Sequence, residues 1–348
     1  MRKLIDRLFQ GECLTREEFQ ALVLCEDQDV LELLFQRAKE RTEEVFANHV
    51  YIRGLVEISS YCKQDCFYCG LRCSNKKAQR YRISPEDILA TCEKGYEMGF
   101  RTFVLQGGED DFYTDQMLCE LIREICLSCP GSAVTLSLGE KSRRSYEAFR
   151  KAGASRYLLR HETATAEHFA RLHPPKQRLA SRMEALTTLK DLGFQVGAGF
   201  MVGSPFQTPE HLAEDLYFLQ EFRPHMVGIG PFIPHQDTPF GSYRPGSSAL
   251  TVKMVAITRG ILPGALIPAT TALATLSKDA RGRALQAGAN VVMPNLSPSE
   301  VRVKYNLYNN KLSTGTESAQ MLEALRKELE VYGRKMDMSR GDSPLWKE

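Results

Sequence analysis

The sequence carries almost no excess charge: 45 basic residues stand against 43 acidic ones in 348, a formal +2, and no run of like charge breaks the balance. A surface for nucleic acid or for an anionic membrane needs concentrated positive charge, so neither partner is expected and a small substrate is. Long hydrophobic runs are missing as well. No stretch approaches the roughly 18 apolar residues of a membrane span. Met1-Arg2-Lys3-Leu4-Ile5-Asp6 leads into charged helical sequence without the apolar core of an export signal. A cytoplasmic, reducing location is expected, in which the ten cysteines serve as thiols rather than disulfides. No cysteine occurs after Cys129, so any thiol chemistry is confined to the part of the chain before it.

What is present is a dense group of three thiols in Cys62-Lys63-Gln64-Asp65-Cys66-Phe67-Tyr68-Cys69. Three thiolates in one short loop can hold three irons of a cubane cluster and leave the fourth iron open to a small molecule. Structural zinc wants four closed ligands, and ferredoxin runs supply four cysteines at other spacings. Cys73 would complete a zinc-like C-x3-C-x2-C-x3-C, but no second Cys/His group at zinc spacing lies elsewhere to pair with it, so Cys73 reads as a bystander. Cys13, Cys25, Cys92, Cys119, Cys126 and Cys129 lie mostly among apolar helical residues and read as small buried hydrophobes. Cys126 and Cys129 form a C-x-x-C, but inside a helical run with no strand before it.

The first fifty residues are helical by pattern. Thr15-Arg16-Glu17-Glu18 is a capping box opening a helix that turns Phe19, Leu22 and Val23 inward, and a second amphipathic run spans about 30–46. They are expected to form a lid or plug. Short apolar runs then alternate with helical patterns eight times, at 51–59, 102–106, 133–138, 156–161, 195–201, 225–231, 266–270 and 290–294. Glycine follows several of the helices, as in Met98-Gly99-Phe100 and Leu192-Gly193-Phe194. Eight strand–helix units predict an α/β fold, a complete (β/α)8 TIM-type barrel with an N-terminal helical extension and a C-terminal helical segment; a six-unit partial barrel is the alternative. The expected division is 1–50 cap, 51–300 barrel and 301–348 extension packed on the barrel.

Chemistry in such a barrel belongs at the carboxyl ends of the strands. Polar residues collect there: the cysteine loop, Gly107-Gly108-Glu109, Ser137, Arg160-His161-Glu162, Thr270-Thr271 and the strand-ending Met293. Within strands the polar exceptions are Arg53, Thr135 and Arg156, which are expected to point into the barrel, where a cationic lining is costly unless it meets an anion. His161, His173, His225 and His235 stand singly among unlike neighbours and read as ordinary loop or core histidines.

C-x-x-x-C-x-x-C with an aromatic residue before its last cysteine resembles the radical S-adenosylmethionine (SAM) enzymes. That resemblance implies one [4Fe–4S] cluster on Cys62, Cys66 and Cys69, with SAM chelated at the open iron through its amino and carboxylate groups. It further implies that Gly107-Gly108-Glu109 receives the amino group of SAM, that Glu162 takes the ribose hydroxyls or the sulfonium region, and that Arg182 takes the methionine carboxylate. Tyr68, Ser137 and Met226 complete the implied cofactor set, although Met226, by its neighbours, also reads as packing. The longer strings Arg156-Tyr157-Leu158-Leu159-Arg160-His161-Glu162-Thr163, Met226 to His235, Ile267 to Ala272 and Asn290 to Asn295 resemble the HydE family of [FeFe]-hydrogenase maturases, from about residue 51 to 308. The implication is a 5′-deoxyadenosyl radical acting in assembly of the di-iron subcluster, on an anionic organometallic iron–carbonyl–cyanide–cysteine species delivered from HydG, with product passed to HydF and an electron donor outside the chain.

Arg53, Thr135, Arg156, Arg160, Thr270, Thr271, Met293, Tyr305 and Tyr308 are then expected to line the substrate cavity. One departure is visible: where some members carry a second cluster on C-x7-C-x2-C, this chain has Lys311, Ala319 and Leu322. Methylornithine synthase, a radical SAM mutase acting on an amino acid, is the nearest alternative. Biotin synthase needs thiolates inside the barrel that this chain does not place at later strand ends, and a scaffold or electron carrier gains nothing from an open iron.

Overall fold

The computed structural model describes the chain except residues 278, 313–317 and 348, and except the side chains of 318 and 319, so Ala319 lies outside the described side chains. Its strands, in chain order, are β1 (His49–Ile52), β2 (Gly54–Ser59), β3 (Thr102–Gly107), β4 (Ala133–Ser137), β5 (Ala154–Leu158), β6 (Gln195–Ala198), β7 (Met201–Val202), β8 (Met226–Val227), β9 (Gly230–Pro231), β10 (Val291–Val292) and β11 (Lys335–Asp337). Six of them, β2-β3-β4-β5-β6-β8, form one parallel sheet of TIM-type α/β architecture. The register runs Leu55↔Val104↔Thr135↔Arg156↔Gln195, and Gly197 pairs with Met226.

Beyond β8 the ladder thins. Single parallel bridges join Met226 to Leu266, Pro268 to Val291 and Leu55 to Asn295, while β10 pairs with β1 at Tyr51↔Val291. The expected strands at 266–270 and 290–294 are thus reduced to bridges and a two-residue β10. Pro268 and Pro294 have no N–H to donate, which removes ladder bonds from both segments.

Alternation along the strands separates two faces. Val56, Ile58, Phe103, Leu105, Val134, Leu136, Tyr157, Val196 and Ala198 belong to one buried apolar cluster with helix residues such as Ile122, Phe149 and Leu186. The opposite face carries Arg53, Leu55 and Glu57 just before and along β2, and Arg156, Leu158 and Arg160 along and just beyond β5. Arg53 reaches Met226 on β8, which fixes this face as the interior. Helices close on the predicted glycines: Gly153, at φ +120, caps the helix Arg143–Ala152 in the left-handed region.

The capping box forms as expected, with Phe19, Leu22 and Val23 buried in the helix Arg16–Leu24. The N-terminal helices lie along the outer helices: Arg16 pairs with Glu214, and the Gln220 carboxamide bonds both the N–H and the carbonyl of Leu14. At the other end of the chain β11 pairs in parallel with β1, Val50 facing Met336. The following residues turn under the amino ends of the strands. Gly341 makes that turn at φ +58, where a Cβ would lie 2.5 Å from the Tyr51 ring. No helix among the described residues is long and apolar enough to cross a membrane.

Candidate active site at the carboxyl ends of the strands

β2 runs directly into the cysteine loop, and charged pairs hold that loop's shape. Arg72 grips Asp65 with two bonds of 2.8 and 2.7 Å, and Ser74 donates to the same carboxylate. The Arg80 guanidinium donates to the carbonyls of Ser60, Leu71 and Arg72. Arg82 grips Asp110 at 2.7 and 2.9 Å, and Ser59 donates to Asp110 at 2.6 Å. Such bidentate pairs fix geometry as well as charge.

The three thiols sit partly buried over the sheet. Burial pushes all three pKa values up, that of Cys66 to about 12 with Cys62 adding to the shift. Thiolates at this site therefore need a metal to stabilise them. The Glu109 N–H donates to Cys62 Sγ at 3.4 Å, and the Cys66 thiol donates to Gln177 at 3.6 Å. Among the described residues no three His, Cys, Asp or Glu side chains converge on a single ion. Three thiols on one loop, each free to take a separate iron, fit a cubane cluster. Cys73 lines a surface groove with Tyr61, Cys62, Lys76 and Arg80.

The end of β3 lies against this loop. Gly108 donates to Ser59 O at 3.2 Å, and a Cβ there would stand 2.1 Å from the Tyr61 carbonyl oxygen, so only glycine permits the approach. The Glu109 carboxylate accepts from Gln64 at 2.7 Å and from the Glu140 N–H at 3.2 Å. Glu140 in turn accepts from Arg182 Nε at 2.5 Å, and Arg182 Nη1 donates to Arg160 O at 2.7 Å. Burial works against the Arg182 charge and Glu140 outweighs it, raising its pKa. Two of the guanidinium donors expected to clamp a ligand carboxylate are thus committed to protein. Arg182 braces the ends of the fourth and fifth strands.

Glu162 has φ +67, a conformation costing a non-glycine residue about 1 kcal/mol or more. Its carboxylate is buried, 3.0 Å from Arg160 Nη2. Tyr68 packs edge-on against His173 and donates to its Nε2 at 3.2 Å. His173 Nδ1 lies 2.9 Å from Phe169 O, an acceptor only, which makes Nδ1 the protonated nitrogen and Nε2 the acceptor. Ser137 ends β4, paired with Gln106, and Gln106 reaches the Tyr305 hydroxyl at 3.5 Å. Burial pushes Tyr308 up to about 12.

Deeper inside, Arg53 is buried with Nη1 3.3 Å from Met226 Sδ, while its Nε and Nη2 have no partner among the described residues. The hydroxyls of Thr135 and Thr270 are buried and equally unpartnered. Thr271 opens the helix Thr271–Leu276.

Two sequence assignments change here. Arg156 points inward but toward the amino ends of the strands, where Asp342 (2.8 Å), Arg340 O (2.7 Å) and Thr102 (3.1 Å) take both Nη groups and leave only Nε without a partner, so it is not a free cation beside the cofactor site. Met226, grouped with the cofactor contacts, packs with Phe46, Leu266 and Val291 and touches Arg53. Met293 is half-buried against the same cluster, on the side of the interior Met226.

Glu57, Gln64, Gln177 and Asp342 were not singled out from the sequence. Glu57 did leave a signal, a carboxylate two and four positions after Leu55 and Arg53 on the interior face. A groove of about 920 Å³ between the N-terminal helices and the outer layer is lined by Leu31, Phe35, Leu250 and Lys253, and none of the residues placed at the strand ends lines it.

A parallel α/β sheet whose first strand feeds a three-thiol loop defines a radical SAM enzyme. The model of the Radical SAM superfamily matches residues 56–219. The chain is 43% identical over 334 residues, 96% of its length and 95% of the relative's, to the [FeFe] hydrogenase maturase subunit HydE of Thermotoga maritima. It is 28% identical over 301 residues to the 3-methylornithine synthase of Methanosarcina acetivorans, covering 86% of this chain and 84% of that one. The solved structure of methylornithine synthase superposes with a TM-score of 0.81 at 26% identity, covering 96% of this chain and 97% of the other. The chain belongs to the HydE family of radical SAM enzymes, whose cofactors are a [4Fe–4S] cluster and SAM.

Proposed function

We propose that this enzyme acts in assembly of the di-iron subcluster of [FeFe]-hydrogenase, on a small anionic organometallic or amino-acid-like substrate held inside the barrel. The observation that carries this reading is Arg53: a guanidinium buried with two unpartnered nitrogens beside a thioether, in an interior that also holds the unpartnered hydroxyls of Thr135 and Thr270. A buried cation without a carboxylate is costly, and an anionic ligand removes that cost.

Cys62, Cys66 and Cys69 hold the cluster, and Glu109, Glu162, Tyr68 and Ser137 surround SAM, with Gly107 and Gly108 giving it room. The bound cofactors supply, on one-electron reduction, a 5′-deoxyadenosyl radical. The chain's own residues orient SAM, exclude water and fix the substrate below it, with Arg160, Thr271, Tyr305 and Tyr308 between the two sites. The identity to a HydE relative supports a place between HydG and HydF, with an external electron donor and a cytoplasmic location. The single bridges beyond β8 support a complete eight-unit barrel, with 1–50 as helical cap and 301–348 as extension.

The test uses anaerobic, cluster-loaded protein with dithionite and SAM. Arg53→Met is expected to keep 5′-deoxyadenosine formation and to lose hydrogenase maturation in a mixture with HydG and HydF. Maturation equal to the parent's overturns the assignment. Conversion of lysine to methylornithine in a single turnover would favour the mutase reading instead.

A further inference from the structure

The interior holds two buried arginines and receives one carboxylate from far along the chain. Arg53 and Arg156 are 4% and 0% exposed. Asp342 enters from the tail, accepts from Arg156 at 2.8 Å and accepts from Gln195. The approach is built and not incidental. Ser343 donates its N–H to Gln195 at 2.9 Å and its hydroxyl to Gly264 O at 2.8 Å, and Arg340 O accepts from Arg156.

We propose that Asp342 is a specificity-determining residue: by cancelling Arg156 it leaves one net positive charge in the barrel interior, that of Arg53, and so limits the ligand to a single negative charge. The proposal rests on the reading of Arg53 as the anion site. Two further ion pairs face the interior, Glu57 with Lys311 and Arg160 with Glu162, and each is neutral as a pair. Arg340 also lies 3.0 Å from Asp342, and the two side chains are 29% and 32% exposed, so water screens both at the foot of the barrel while Arg156 is wholly buried behind them. Arg156 opposes the charge on Arg53, and Asp342 supports it. A tail carboxylate without contact to the ligand therefore sets how much negative charge the ligand carries.

The experiment titrates the full-length, cluster-loaded protein anaerobically with thiocyanate and with sulfate, read by calorimetry and by the shift in unfolding temperature. The parent is expected to bind thiocyanate in preference to sulfate, and Arg53→Met to bind neither. Asp342→Asn should bind thiocyanate about tenfold tighter and accept sulfate, the order expected for one unit charge within about 10 Å at an effective permittivity near 20. Arg156→Met should bind thiocyanate about tenfold more weakly, and Arg156→Met with Asp342→Asn should return to the parent's affinity.

If Asp342→Asn does not fold, the Arg156→Met variant and the double variant carry the same comparison. Unchanged affinity and unchanged preference in Asp342→Asn overturn the proposal, as does a double variant as weak as Arg156→Met, which would put Arg156 in contact with the anion. A parent that binds no more anion than Arg53→Met overturns the anion site itself, and the role of Asp342 with it.

Discussion

Lys311 pairs with Glu57, a carboxylate inside the barrel with 1% of its side chain exposed. Asn295 donates to the other carboxylate oxygen at 2.8 Å, and the Lys311 ammonium also donates to Tyr305 O at 3.0 Å. The pair ends a strap, 305–311, that crosses the mouth of the barrel. Gly70, next to the last cluster cysteine, donates to Leu307 O at 2.9 Å, and Asn309 donates to Pro234 O at 3.0 Å. A Cβ on Gly70 would lie 2.2 Å from Asn306 O, so the strap rests directly on the cysteine loop. Where some HydE proteins carry a second cluster's cysteine, this chain has the lysine of a buried ion pair.

Removing Lys311 leaves that carboxylate unpaired. Burial already pushes the Glu57 pKa up, and Lys311 and Asn295 pull it back. A carboxyl raised in the folded state costs stability as pH climbs from its unfolded value through its folded one. Lys311→Met widens that window upward. The loss should be on the order of 3–5 kcal/mol at pH 8 and clearly smaller at pH 5, measured by urea unfolding of cluster-loaded protein. An equal loss at both pH values would show that Glu57 is not the group left uncompensated.

Cys62→Ser, Cys66→Ser and Cys69→Ser should each abolish the cluster's absorption and SAM cleavage. Cys73→Ser should retain about four irons per chain, the content of one cubane. Loss of iron from Cys73→Ser would point to a four-thiolate site.

His168 and His173 are buried and held neutral, with pKa values pushed down by burial to about 4 and about 3. Unfolded, both titrate near 6.5. A histidine depressed in the folded state contributes stability above its unfolded pKa and loses it as pH falls below. Unfolding free energy should therefore drop between pH 6.5 and pH 5, by up to about 1.4 kcal/mol per pH unit for each histidine. A flat profile over that interval contradicts buried neutral imidazoles.

Glu162→Gln should weaken SAM binding by roughly tenfold while the unfolding temperature stays near the parent's, because a strand-end carboxylate on this face meets ligand and not core. Glu109→Gln should weaken it as well and also loosen Gln64. Equilibrium binding to cluster-loaded protein measures both. A variant that lost stability but bound SAM as the parent does would make Glu162 a structural residue.

How far the sequence reached depends on the distance over which each contact acts. The cysteine loop, the capping box at Thr15 and the strands at 102–106 and 133–138 are set by spacing and local chemistry, and each was legible to within a residue or two. Strand alternation put Arg53 and Arg156 on one face, and the family resemblance, not the alternation, made that face the interior. Their partners followed from neither. Asp342 lies in Ser339-Arg340-Gly341-Asp342-Ser343, a polar run with no periodicity, and it meets Arg156 only because the tail folds beneath the strands. The partner of Arg182 was out of reach for a similar reason: Glu140 is on another element, and nothing near position 182 announces it. The last two strands were found in place but overestimated in length, since apolar character persists across prolines that cannot bond.

The parallel pairing of β11 with β1 ties residues near position 335 to the first strand of the chain. During translation β1 leaves the ribosome almost the whole chain before Lys335, so its edge and the Arg156 side chain wait uncovered until residues 335–343 have been made. An uncovered strand edge is what recruits other chains into aggregates. Premature termination a few codons upstream of Lys335 would leave every thiol in place yet yield a polypeptide whose foot stays open, a substrate for chaperones and proteases.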